Sequence, residues 1–351
     1  MKLCSGFVSI IGRPNAGKST LLNALIGEKV AIVTAKPQTT RTRIHGIVEV
    51  PESKGKHPAA QIVLIDTPGI HRPASQLDRS MMHEIHEALE TRDVVLLLVD
   101  AVRRQARAKA AGKPAMEGGE DAPEKPRLDR AGEEALAFEM IRKLDCPVFL
   151  VITKIDLVPK DRLLPLIEGL SQLHNFEEVI PVSARNGDGL KLLLHKLAEY
   201  LPEGQRWFPR DQFTDQPERF LAAELIRERI LLETGEEVPY ASAVVVERFE
   251  EPEPRPQSKQ GPGKPAVTRI SAAIYCERDG QKAILIGKGG SKLRDIGAGA
   301  RREIEALLGT RVYLELHVLV REHWRDSRVF VEQLDWRKQL QEMSGKEQGN
   351  Q

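Results

Sequence analysis

The chain is short of cysteine, of net charge and of long apolar runs, and each shortage excludes something. Its three cysteines, Cys4, Cys146 and Cys276, lie far apart with no paired spacing. They suggest neither a disulfide framework nor a cysteine metal site, which fits a reducing, cytoplasmic setting. Formal net charge is only +1 over 351 residues. Whole-chain charge therefore argues for no partner, and any nucleic-acid surface has to be a local patch. No apolar stretch approaches the about 18 residues that a membrane span needs. No signal peptide is visible either, because Lys2 is followed by a short run that soon enters a polar, glycine-bearing loop. What remains is an ordinary globular composition, 41% hydrophobic and 29% charged. The length suits two domains better than one core.

The stretch around which the rest is arranged is GRPNAGKST, Gly12 to Thr20. It follows the apolar run Phe7-Val8-Ser9-Ile10-Ile11 and precedes an apolar-periodic segment from Leu21 to Ile26. Strand, glycine loop, helix is the context in which G-x-x-x-x-G-K-[ST] forms a phosphate cradle. The glycines let backbone N–H groups point at phosphate oxygens, and the helix N-terminus favours an anion. Gly12, Asn15, Ala16, Gly17, Lys18, Ser19 and Thr20 are the binding candidates, with Lys18 reaching the β- and γ-phosphates and the Ser19 hydroxyl ligating Mg²⁺.

Downstream, strands are expected at 44–50, 61–65, 94–99, 148–152 and 179–182, and helices at 77–90, 131–144, 160–173 and 189–200. Such alternation predicts an α/β fold, a mostly parallel sheet covered on both faces. Residues 103–130 are rich in Ala, Gly, Pro and mixed charge, without apolar period, and read as a disordered insertion. Residues 202–217 read as a linker. A smaller α+β domain then spans 218–340: helix 218–233, strand 241–249, a Pro-rich flexible insertion at 250–266, strand 268–277, a Gly-Lys-Gly-Gly loop, helix 291–307 and strand 311–320. Residues 341–351 form a polar tail, and the first domain covers 1–201.

Asp66-Thr67-Pro68-Gly69 ends the strand 61–65, which places Asp66 near Mg²⁺ and the Gly69 N–H near a γ-phosphate. Thr39 and Thr40 lie in the polar loop before it, where a threonine hydroxyl, assigned to Thr40, completes the metal shell of Ser19 and Asp66. Thr153-Lys154-Ile155-Asp156 and Ser183-Ala184-Arg185 follow two later strands. In this order the motifs resemble those of the translation-factor-related GTPases. The resemblance implies that Asp156 accepts from the guanine N1–H and amine, that Lys154 lies along the base, and that Ala184, beside Ser183, offers its N–H to the guanine oxygen. Thr153 stands where that family usually has Asn, and Arg185 where it has Lys.

Ile70 occupies the position at which Ras-like proteins carry a water-orienting glutamine, so unaided hydrolysis is expected to be slow. Relatives with an apolar residue here and an asparagine such as Asn15 in the loop use K⁺ in place of an arginine finger, which makes K⁺ the expected activator. Lys18, Thr40, Gly69 and Asn15 are thus the catalytic candidates, with GTP/GDP and Mg²⁺ as ligands. His71 is expected to face solvent.

In the second domain, Ile286, Gly287, Lys288, Gly289, Gly290, Lys292 and Arg301 are the candidate RNA contacts. Glycines at both ends of a GXXG loop admit a nucleic-acid backbone, and Lys282, Lys288, Lys292, Arg294, Arg301 and Arg302 cluster against Asp295 alone. This resembles a type II KH domain. A P-loop GTPase domain followed by such a domain resembles a family of bacterial ribosome-assembly GTPases. The resemblance implies binding near the 3′ end of 16S rRNA during 30S subunit assembly by a monomeric cytoplasmic protein, and leaves open a peripheral contact with the inner face of the cell membrane. The competing reading is a GTPase whose C-terminal domain docks a protein or membrane surface. A P-loop kinase or ATPase is opposed by Asp156.

Overall fold

The computed structural model describes residues 3–104, 130–252 and 267–338. Most of the insertions expected at 103–130 and 250–266, and the whole tail 341–351, lie outside the described residues. The chain divides into two compact units. One comprises Met1–Ala31, Thr40–Pro73 and Met81–Asp215; the other comprises Ile32–Thr39, Ala74–Ser80 and Gln216–Gln351.

In the first unit, β1 (Leu3–Gly12), β2 (Ile44–Val50), β3 (Ala59–Asp66), β4 (Val94–Asp100), β5 (Val148–Thr153) and β6 (Glu178–Pro181) form one sheet in the order β2-β3-β1-β4-β5-β6. β2 runs antiparallel to β3, as a hairpin must; every other pairing is parallel. Parallel strands need crossovers, in which α1 (Lys18–Ile26), α2 (Gln76–Glu90), α3 (Arg130–Ile141) and α4 (Lys160–Ser171) lie, while α5 (Leu190–Tyr200) follows the last strand. Helices on both faces explain why β4 is apolar throughout. Val94, Leu96 and Leu98 enter one core, while Val95, Leu97 and Val99 enter the other.

Strand ends position the chemistry. β1 stops at Gly12, β3 at Asp66, β4 at Asp100 and β5 at Thr153, so the sequence motifs emerge together at the carboxyl edge of the sheet. That edge is where ligands bind in open α/β sheets.

Residues 202–215, read as linker, are part of the first unit. Ser5 N–H donates to the Pro202 carbonyl at 3.0 Å and Ile47 N–H to the Phe213 carbonyl at 2.9 Å. Gln61, fully buried in β3, receives the N–H groups of Trp207 and Phe208 at 2.8 and 3.0 Å.

In the second unit, α6 (Glu218–Glu233), β7 (Ala243–Glu250), β8 (Val267–Cys276), α7 (Asp279–Ile286), α8 (Ser291–Leu308) and β9 (Arg311–Val320) surround a core of their own. β8 is central, antiparallel to β7 and parallel to β9. A short helix α9 (Arg328–Gln333) closes the described chain, with the Trp324 indole N–H donating to the Ala241 carbonyl at 2.8 Å. Among the described residues no helix is long and apolar enough to cross a membrane.

Candidate functional site

Lys18 opens α1 beneath the loop and is buried, at 6% exposure. Its ammonium donates to the Gly12 and Arg13 carbonyls at 3.1 and 3.0 Å, which bends the loop around it. Burial pushes the Lys18 ammonium down to about 8, against the pull of the Asp66 and Glu133 carboxylates. A buried cation whose ammonium is held by two loop carbonyls is a site that an anion relieves. Arg13 is held from outside the loop by Glu133 of α3, at 3.0 Å.

Ser19, Thr40 and Asp66 meet at one point. The Ser19 hydroxyl donates to Asp66 Oδ2 at 2.6 Å, the Thr40 hydroxyl reaches the same oxygen at 3.1 Å, and the two hydroxyls are 2.8 Å apart. Thr39 is turned away: its hydroxyl donates to the Lys36 carbonyl at 2.8 Å and lies 2.8 Å from that of Thr34. Burial raises the Asp66 carboxyl, opposed by Lys18 and by the hydroxyls of Ser19 and Thr40. Its second oxygen, Oδ1, is buried with no hydrogen-bond partner among the described residues. A buried carboxylate oxygen left open beside two hydroxyls is a hard-oxygen donor set, and it fits Mg²⁺.

Gly69 lies directly against the loop. A Cβ there would come within 2.7–2.8 Å of Pro14 Cγ, Cα and N, so only glycine brings the backbone this close. Ile70 is fully buried and its N–H donates to the Gly12 carbonyl at 3.1 Å. His71, expected to face solvent, is instead 7% exposed, with Nδ1 2.7 Å from the Gly69 carbonyl. A loop reading from polarity alone misses this, because the ring is drawn inward by a backbone acceptor two residues away.

Toward the base side, the Thr153 hydroxyl donates to the Ala16 carbonyl at 2.7 Å. Threonine has one proton to give where asparagine has two, and that proton goes to the phosphate loop. The Lys154 ammonium bridges the Asn15 carbonyl and Asp100 Oδ2, both at 2.8 Å. Asp156 is exposed, and its Oδ1 is oriented by the Ser183 hydroxyl at 2.7 Å. Ala184 follows Ser183, and Arg185 is exposed to solvent.

In the second unit, Gly287 has φ of +70° and no room for a Cβ, which would sit 2.7 Å from Lys292 Cβ. Lys288 and Gly289 are exposed at the tip of the loop. Beside it runs a groove of about 480 Å³, walled by Leu293, Arg294, Gly297, Ala298 and Arg301 of α8 and by Leu314 and Leu316 of β9, with Gly290 at its end. Of the expected contacts, Gly290 and Arg301 line the groove. Ile286 packs half-buried against the core, and the Lys292 ammonium donates to the Glu233 carbonyl at 2.9 Å.

Residues 7–154 match the family described as 50S ribosome-binding GTPase, and residues 237–325 match the KH domain. The chain is 45% identical to the GTPase Era of Syntrophus aciditrophicus (strain SB) over 329 residues, covering 93% of this chain and 94% of that one. It belongs to the Era GTPase family. A second Era relative, from Ruminiclostridium cellulolyticum, is 40% identical over 93% of this chain and 95% of its own. Two solved Era structures align at 37% identity. One, Era in complex with MgGDPNP and nucleotides 1506–1542 of 16S ribosomal RNA, has a TM-score of 0.78 and covers 94% of this chain and 98% of that one. The other, a single-substitution variant of Aquifex aeolicus Era bound to GDP.AlF4-, has a TM-score of 0.77, with 95% and 98% covered.

For an Era-family GTPase, sequence reading finds the motif residues and misses their supports. Asp100 is visible in sequence only as the acid ending an apolar strand; its register with Thr153 on the neighbouring strand carries it to Lys154. Glu133 has no local signal at all. Leu314 and Leu316 are ordinary strand residues by pattern, and only the course of β9 beside α8 makes them groove walls.

Proposed function

We propose that the chain is a GTP-driven switch that binds 16S rRNA near its 3′ end and acts in 30S subunit assembly in the cytoplasm. The observation that carries this reading is Asp156 oriented by Ser183 and Lys18 held under its glycine loop, with an open groove beside the GXXG loop in the same chain. The solved Era complex with 16S nucleotides 1506–1542, 37% identical over nearly the whole length, supports the choice of RNA.

In this reading Asp156 accepts two hydrogen bonds from guanine, which adenine cannot supply. Lys18 and the loop amides neutralise the charge that builds on the transferred phosphoryl group, a reaction that depends on positioning and electrostatics. Ser19, Thr40 and Asp66 would hold Mg²⁺, which would supply further charge neutralisation. The Gly69 N–H meets the γ-phosphate, so Gly69 distinguishes GTP from GDP. Ile70, buried and without a polar atom on its side chain, orients no water, and hydrolysis is slow. Asn15, in a left-handed conformation with φ of 63°, would share a K⁺ with the phosphates. Hydrolysis is therefore expected to run faster in K⁺ than in Na⁺ at equal ionic strength; equal single-turnover rates in the two salts contradict the K⁺ role.

The RNA reading is tested by crosslinking the GTP-bound full chain within cell lysate and mapping the bound nucleotides. Crosslinks concentrated at the 3′ end of 16S rRNA are expected. Their absence, with crosslinks to protein or lipid instead, favours docking of the second unit on another surface.

A further inference from the structure

The peptide unit joining Gly69 to Ile70 is pinned at both of its polar atoms. Its carbonyl oxygen lies 2.7 Å from His71 Nδ1, and its N–H donates to the Gly12 carbonyl at 3.1 Å. A carbonyl only accepts, so Nδ1 carries the proton. Pro68 restricts the backbone on the other side of Gly69, and Pro14 fills the space where a side chain would stand. Gly69 is thus confined between a proline, a packed wall and a peptide plane with two hydrogen bonds. Of these constraints, one depends on a removable side-chain proton. An imidazole at 7% exposure is a costly way to fill space, since a leucine carries no polar atoms to satisfy.

We infer that His71 is a positioning residue for GTP hydrolysis, donating Nδ1–H to the Gly69 carbonyl and so anchoring the Gly69 Cα, across which the preceding Pro68–Gly69 peptide presents the Gly69 N–H. The inference rests on the reading that this N–H meets the γ-phosphate. His71 itself touches neither the nucleotide nor the attacking water. Loss of this donor leaves the nucleotide pocket in place and lets the Gly69–Ile70 peptide rotate about its remaining bond to Gly12, which frees the Gly69 dihedrals that orient the N–H on its other side. The effect falls on the triphosphate state and spares the diphosphate.

The test uses the full chain with His71→Phe, which fills the space without a donor, and His71→Asn, whose amide N–H can replace Nδ1–H. Gly69→Ala reports on the underlying reading. GDP affinity and the single-turnover rate at saturating GTP are measured for each. We expect His71→Phe to hold GDP within about twofold of wild type while the rate falls about five- to tenfold, the size of one net hydrogen bond. His71→Asn should recover most of that rate. An unchanged rate in His71→Phe, an Asn variant no better than Phe, or a parallel fall in GDP affinity overturns the positioning role. If Gly69→Ala hydrolyses at the wild-type rate, the γ-phosphate reading falls and this inference with it. A slow Gly69→Ala beside a fast His71→Phe overturns the His71 link alone.

Discussion

The two units solve recognition in opposite ways. In the first, each expected ligand-facing side chain is already held by directional bonds: Ser19 and Thr40 on Asp66, Thr153 on Ala16, Lys154 on Asn15 and Asp100, Ser183 on Asp156. In the second, the groove is walled by leucines, small residues of α8 and two arginines. A nucleotide is small and charged, so its site gains from fixed donors and acceptors. A single RNA strand is long and flexible, and an apolar groove with a glycine loop accepts it by shape and backbone approach. Single substitutions should therefore be severe and specific in the first unit and graded in the second.

That contrast is broken most directly at Lys18. Lys18→Ala is expected to weaken GDP and GTP binding by at least about 100-fold, the scale of a lost charge-assisted set of hydrogen bonds. RNA binding in gel shift without nucleotide should match that of the nucleotide-free wild type. A Lys18→Ala protein that binds nucleotide normally would remove the phosphate-site assignment. Next comes Asp156→Asn, which exchanges an acceptor for a donor at the base edge. Guanine-nucleotide affinity should fall about 50-fold or more while xanthine-nucleotide affinity rises, a change of specificity by unpaired polar groups. Guanine selectivity surviving the change contradicts the role of Asp156. The smallest effect in the first unit is expected at Thr153. Thr153→Val keeps the shape but strips the proton from the Ala16 carbonyl, costing about 1–2 kcal/mol, or about five- to thirtyfold in GDP Kd. Thr153→Asn should bind GDP at least as well as wild type. If valine and asparagine behave alike, the threonine bond to the loop contributes nothing.

The same contrast governs what is legible in the sequence. Phosphate, metal and guanine chemistry each demand particular atoms at particular strand ends, so Lys18, Ser19, Asp66 and Asp156 stand out by type and spacing. The alternating β and α pattern is readable because burial on both sheet faces leaves continuous apolar runs such as β4. Between Thr39 and Thr40 the sequence offers little to choose, and one pair of hydroxyl contacts favours Thr40. Supports are illegible because their partners are distant in sequence: Asp100 reaches Lys154 across 54 positions and Glu133 reaches Arg13 across 120. The segment 202–215 reads as linker because its anchors are backbone groups and a glutamine hidden in β3. In the second unit the GXXG loop is visible, but one wall of the groove belongs to β9, whose leucines carry no signal of their own. Lys292 shows the limit of counting charges, since its ammonium is spent on the Glu233 carbonyl.

The central claim, a GTPase switch whose second unit binds RNA through its glycine loop, is tested most directly at Gly289. This residue is exposed at φ of +61°, and a Cβ added there would meet nothing within 4 Å. Aspartate is among the side chains that best tolerate this left-handed backbone, so Gly289→Asp adds a carboxylate at the loop tip with little effect on packing. The measurement is the affinity of wild type and Gly289→Asp for an RNA carrying the 3′ end of 16S rRNA, across a salt series, with GTP hydrolysis as the control. The account predicts a loss of about tenfold or more, a shallower salt dependence, and unchanged hydrolysis without RNA. Equal affinities and equal salt slopes for the two proteins would contradict it.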